Sequence, residues 1–259
     1  MGGLGQSGLH PGRRTILRGL LVSLAGVLLA GLVMAPPLIA LPHGSEAAGD
    51  LTEALRLNQE AERLAAAGTY AAAVPLVRRA LAIEERIVGP EHPAVAASLN
   101  SLGELYRVQG KYAEAEPLYR RALAIAEKTL GPEHQTVAMS LNNLGLLYRA
   151  QGKYAEAEPL QRRALAIAER ALGPEHPTVA LSLNNLGLLY RAQRKYAEAE
   201  PLYRRALAIG EKTLGPGHPD LAVVLRGLAA LLRATDRKTE AEQLEARAAL
   251  IRAPTNPTK

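Results

Sequence analysis

Gly-Pro-Glu-His stands at 89–92, returns at 131–134 and 173–176, and appears once more as Gly-Pro-Gly-His at 215–218. Each step is 42 residues. A fixed period of this length describes an array of similar units, each stacked on its neighbours, and excludes most folds built around one central core.

Between two markers the pattern predicts a pair of helices. In the unit 135–176, Leu141, Leu144 and Tyr148 recur three and four residues apart, the spacing of one helical face. Gln151–Tyr154 breaks that helix, with Gly152 available for a positive-φ turn. The second helix runs to Leu172, and Gly173-Pro174 ends it. His176-Pro177 restarts the chain, with the proline in a first turn where its missing N–H costs nothing. Pro159 comes early enough in the second helix to cost about one backbone bond.

Five units align. Those at 93–134, 135–176 and 177–218 are regular. The first, near 51–92, has Glu60 and Ala61 where the others have Leu and Gly, but keeps Gly68, Tyr70, Ala73 and Ala80. The last, near 219–252, keeps Leu228, Leu232, Ala241 and Ala248, while Lys238 replaces the tyrosine of the turn. Degenerate ends suit a solenoid, whose terminal units meet water on one side.

Composition agrees with helices. The chain has no Phe, Trp or Cys and is dominated by Ala, Leu, Glu and Arg, a poor recipe for a sheet core. Without cysteine it has no disulfide, thiolate nucleophile or sulfur-ligated metal. The net charge of +6 comes from mixed-sign helix surfaces and lacks the exposed aromatics of a nucleic-acid platform, so no nucleic acid is expected.

Residues 1–49 differ from the rest. Arg13, Arg14 and Arg18 precede an uncharged apolar run from Gly19 to about Leu41, and small residues follow at Ser45 and Ala47. This is the order of an export signal, with cleavage after Ala47, or of an uncleaved membrane anchor. Arg-Arg-Thr-Ile-Leu-Arg resembles a bacterial twin-arginine signal, with Ile16 where Phe is usual. Either reading places the array in the periplasm or outside the cell, or anchors it to the outer face of a bacterial inner membrane. The last segment, 253–259, reads as a disordered tail.

Leu144, Gly145, Tyr148, Ala157 and Ala164 match the tetratricopeptide repeat signature, and Leu102, Gly103, Tyr106, Ala115, Tyr119 and Ala122 match it more fully. With the phrases LNNLGLLY, GKYAEAEPL and LGPEHP, the units at 51–252 resemble kinesin light chain repeats. Gln161 departs from Tyr119 and Tyr203 and is expected to loosen the contact between its helices. The resemblance implies an all-α, right-handed superhelix of about five helix pairs, with the first helices lining a concave groove.

A helical wheel separates two sets of residues on those first helices. Leu141, Leu144, Gly145 and Tyr148 fall within about 100° of arc and read as core. Asn142, Leu146 and Arg149 cluster about 115° away, as do Asn184, Leu188 and Arg191 in the next unit. Asn100, Glu104 and Arg107 hold these places in the preceding unit, and Arg226 and Arg233 stand for Asn and Arg in the last. With the groove that the resemblance implies, Asn100, Arg107, Asn142, Leu146, Arg149, Asn184, Leu188 and Arg191 form a ligand-binding ladder edged by Met139 and Leu181. Amides suit peptide backbone, guanidiniums suit carboxylate or phosphate, and leucines add apolar contact. Kinesin light chain repeats bind short cargo peptides in this groove. A competing reading also stands: duplication copied these residues, which bond only to neighbouring helices or to water.

The four marker histidines suggest a metal, but they lie one to a loop, and helices pack about 8–10 Å apart, too far to share an ion bound at about 2 Å. Ser98, Ser140 and Ser182 have no His–Asp company in a helical stack. No cofactor, metal or catalysis is expected. The function read here is protein interaction through an extended acidic and apolar peptide. A self-assembling scaffold or an accessory subunit of an envelope complex is the alternative. Any membrane contact would come only from the N-terminal segment.

Overall fold

A computed structural model describes residues 44–252 of the protein. The predicted export segment, its apolar run and the tail at 253–259 lie outside these, apart from 44–49, which begin the first helix. The described residues form ten helices and no strand: α1 (Gly44–Ala66), α2 (Tyr70–Val88), α3 (Pro93–Val108), α4 (Tyr112–Leu130), α5 (Gln135–Ala150), α6 (Tyr154–Leu172), α7 (Pro177–Ala192), α8 (Tyr196–Leu214), α9 (Leu221–Ala234) and α10 (Lys238–Arg252). None of them is long and apolar enough to cross a membrane. Consecutive helices pair within each unit, and every second helix packs on the first helix of the next unit, so the whole is an α-solenoid. Helix α1 begins before the expected boundary at 50, and the suggested cleavage site falls in its opening turn.

Local chemistry sets the boundaries. His92, His134 and His176 are extended N-caps whose Nδ1 accepts from the backbone N–H two residues on, each at 3.2 Å. The His-Pro motif is therefore helix-start chemistry. At the other end of α5, Lys153 N–H donates to the Tyr148 carbonyl at 2.9 Å and Gly152 N–H to Arg149 at 3.1 Å, the paired bonds of a Schellman motif. Gly152 has φ +76°, and Arg194 holds the same place in the next unit at φ 61°, which costs a side-chain-bearing residue about 1 kcal/mol.

The interior is built from small residues. Ala115, Ala122, Ala157, Ala164, Ala199 and Ala206 are fully buried in the second helices. Their size lets helix axes approach, and one core runs through all five units. Outside it, Arg121, Arg163, Arg205 and Arg247 pair with Glu85, Glu127, Glu169 and Glu211 of the preceding unit at 2.5–2.6 Å. Each also donates to the proline carbonyl of the intervening loop, at Pro90, Pro132, Pro174 and Pro216. This double contact ties every loop to the following unit.

Candidate functional site

First helices of successive units touch directly, α3 on α5, α5 on α7 and α7 on α9, whereas second helices do not pack on one another to that extent. The side of the first helices is therefore the shorter, inner side of the stack, and the predicted ladder lies along it.

The asparagines do not present their amides to that side. Asn142 is 5 % exposed, and its Nδ2 donates to Ser182 Oγ on the next first helix at 3.0 Å. Asn100 donates to Ser140 at 3.0 Å, and Asn58 to Ser98 at 3.2 Å. Asn184 is buried too, but Val224 follows where a serine would continue the row. The expected hold on peptide backbone by Asn100, Asn142 and Asn184 does not fit this burial: Asn100 and Asn142 spend their Nδ2 on a serine of the next first helix, while the Oδ1 of Asn142 and of Asn184 is buried without a partner among the described residues. The signal was present in the sequence, since each Asn precedes its Ser by 40 residues. Leu146 is likewise buried and offers no groove surface, whereas Leu188 stays partly open.

The arginines behave differently from one another. Arg107 donates twice to the Glu104 carboxylate, from Nε at 2.7 Å and Nη2 at 2.6 Å. Tyr119 adds a third donor at 3.0 Å. Burial pulls the Arg107 pKa down, but the Glu104 charge and hydrogen bonds outweigh it and leave it raised. Burial first and Glu104 second push the Tyr119 phenol well up. In the last unit Arg233 is paired in the same bidentate way with Glu245, at 2.8 and 2.7 Å.

Between these two lie Arg149 and Arg191, where Leu146 and Leu188 replace Glu104. The Nε of each has no hydrogen-bond partner among the described residues. Burial, then the positive charges of Arg107 and Arg191, depress the Arg149 pKa. Tyr203 stands in the field of Arg191 and Arg149, yet burial pushes its phenol up to about 12. Gln161 is wholly buried with neither amide atom bonded. A side chain on Gly145 would come within 2.6 Å of its Cγ, so the helices here stay close. The site is thus a row of guanidiniums, neutralised at both ends and uncompensated in the middle.

Sequence reading missed Glu84. It is buried where the other units have Ala126, Ala168 and Gly210. Asn58 Nδ2 donates to its Oε1 at 3.1 Å, while Oε2 has no partner. Its signal was a carboxylate in an alanine register. Among the described residues no group of three or more His, Cys, Asp or Glu side chains is placed to hold a metal.

A tetratricopeptide repeat family model matches in four overlapping stretches, 61–128, 95–170, 136–212 and 178–251. A kinesin light chain protein from Podosopora anserina, solved with nearly identical TPR-like repeats, is 30% identical, with 80% of this chain and 99% of that one covered and a TM-score of 0.63. BtubC (BKLC) from P. vanneervenii is 25% identical over 94% of this chain and 93% of its own, with a TM-score of 0.69. PilF of Pseudomonas aeruginosa, at 22% identity and a TM-score of 0.56 over 78% of this chain and 77% of its own, shares the fold. No curated protein sequence matches the chain.

Proposed function

This chain belongs to the tetratricopeptide repeat family, with repeats of the kinesin light chain kind, and we propose that its inner side binds an extended peptide carrying acidic and apolar residues. Repeats of this family are protein-interaction scaffolds and in general non-enzymatic. The observation that carries the finer reading is the pair of uncompensated guanidiniums, Arg149 and Arg191, between the paired Arg107 and Arg233. A half-buried guanidinium without a counter-charge is costly, and an incoming carboxylate removes that cost. Leu188, Met139 and Leu181, all partly open, supply apolar contact beside it. Of the ladder, Arg149, Arg191 and Leu188 meet ligand in this reading, Arg107 adds its field, and the asparagines hold the spacing of the row. The N-terminal segment, as an export signal or anchor, would put this groove outside the bacterial cytoplasm.

The test is a library of acetylated, amidated peptides varied in Glu and Leu content, with binding followed by fluorescence anisotropy. Acidic–apolar peptides are expected to bind best, and Arg149→Gln and Arg191→Gln each to weaken them by roughly tenfold or more. Asn142→Ala is expected to lower the melting temperature and leave affinity within about twofold. Binding that survives both arginine changes but is lost with Asn142→Ala would reverse these roles.

A further inference from the structure

The inner side repeats in shape but not in charge. In the first unit Glu62 holds the place of Glu104, and Ala65 the place of Arg107. That unit therefore has the acid without the base. The second unit has both, paired with each other. The third and fourth have the bases Arg149 and Arg191 without the acid, and the fifth pairs Arg233 with Glu245. From first unit to last the row is negative, neutral, positive, positive, neutral.

Helix α1 belongs to this row. Asn58, one turn before Glu62, donates to Ser98 on α3 just as Asn100 and Asn142 donate to α5 and α7. Glu62 is half-buried, and no hydrogen bond or ion pair among the described residues engages its carboxylate. Burial alone raises its pKa. Two turns earlier on the same face, Leu55 is one of three large hydrophobic side chains left exposed among the described residues, at 38 %. It holds the place of Met139 and Leu181, so the apolar edge of the groove, interrupted at the small Ala97, resumes on α1.

Building on the groove reading above, we propose that the partner's extended segment carries a basic residue that pairs with Glu62 and acidic residues that pair with Arg149 and Arg191, so that its charge order fixes which way it lies along the stack. A half-buried carboxylate without a counter-charge is costly, and an incoming ammonium or guanidinium removes that cost. The reverse placement sets like charges together at both ends. First helices stand about 8–10 Å apart, which puts Glu62 two steps, roughly 16–20 Å, from Arg149. An extended chain rises about 3.3 Å per residue, so the basic and acidic residues belong about five or six positions apart. Neither 1–43 nor 253–259 holds an Asp or Glu, so neither supplies the acidic residues, and the occupant is a segment of another protein.

The test uses the full chain and two acetylated, amidated peptides with the same acidic–apolar end. About six positions away one carries Lys and the other Gln, and each is made in both backbone orders. By fluorescence anisotropy the Lys peptide is expected to bind about fivefold tighter than its Gln counterpart. In Glu62→Gln the two are expected to bind alike. With leucine methyls labelled for NMR, a nitroxide beside the Lys is expected to broaden Leu55, and one at the acidic end to broaden Leu188. These labels act on the parent chain and decide the matter should Glu62→Gln fail to fold. Equal binding of the Lys and Gln peptides, an advantage that persists in Glu62→Gln, or broadening of Leu188 by the basic end overturns the proposal while the groove reading stands. Binding by neither peptide overturns both.

Discussion

Glu84 shows what one side chain does to a repeated interface. Burial raises its carboxyl to about 7, against smaller lowering contributions from Ser98 and Asn58. In the unfolded chain a glutamate ionises near 4.3. Between these values the unfolded state gives up its proton while the folded state keeps it, so stability falls as pH rises and levels off above about 7. At about 1.4 kcal/mol per unit the loss is on the order of 4 kcal/mol at most. Glu84→Gln cannot ionise and is expected to remove this decline, making the variant more stable than the parent at pH 8 but not at pH 4. Urea unfolding at the two pH values measures it, and parallel profiles for parent and variant would disprove the assignment.

The helix as an element was largely legible in the sequence. Gly152 at the end of α5, Gly173 at the end of α6 and the His-Pro starts mark boundaries because each satisfies or releases backbone groups within a few residues. The histidine cap adds a consequence. Its Nδ1 accepts only while unprotonated, and burial lowers the His92 pKa below the usual value. That cap therefore stabilises fully above about pH 6.5 and is lost as pH falls through the lower folded value. His92→Ala is expected to cost about 1 kcal/mol at pH 8, with the deficit shrinking in acid, whereas His92→Asn keeps the cap at both. Thermal melts across that range test it. A deficit that does not change with pH would mean that the cap contributes nothing.

At the scale of the molecule, stability is a sum over units and their contacts with neighbours. Each inner unit has a neighbour on both sides, but α10 has one only on its N-terminal side, where Arg247 reaches Glu211 and the Pro216 carbonyl, and it leaves Leu250 76 % exposed. Hydrogen exchange is expected to be slowest in α4 to α7 and fastest in α10. Uniform protection along the array would show one cooperative unit instead.

The 42-residue period, the helix pairing and the alanine and glycine positions of the core follow from the sequence alone, because each rests on contacts within a turn or within one repeat. The roles of Asn142 and Arg149 do not. A helical wheel gives a direction about the helix's own axis, and these two share one. Only the stack decides that Ser182 stands within 3.0 Å of the first. It equally decides that, among the described residues, no carboxylate pairs with the second, because a partner's distance depends on how the next unit packs, and that is a property of the whole array.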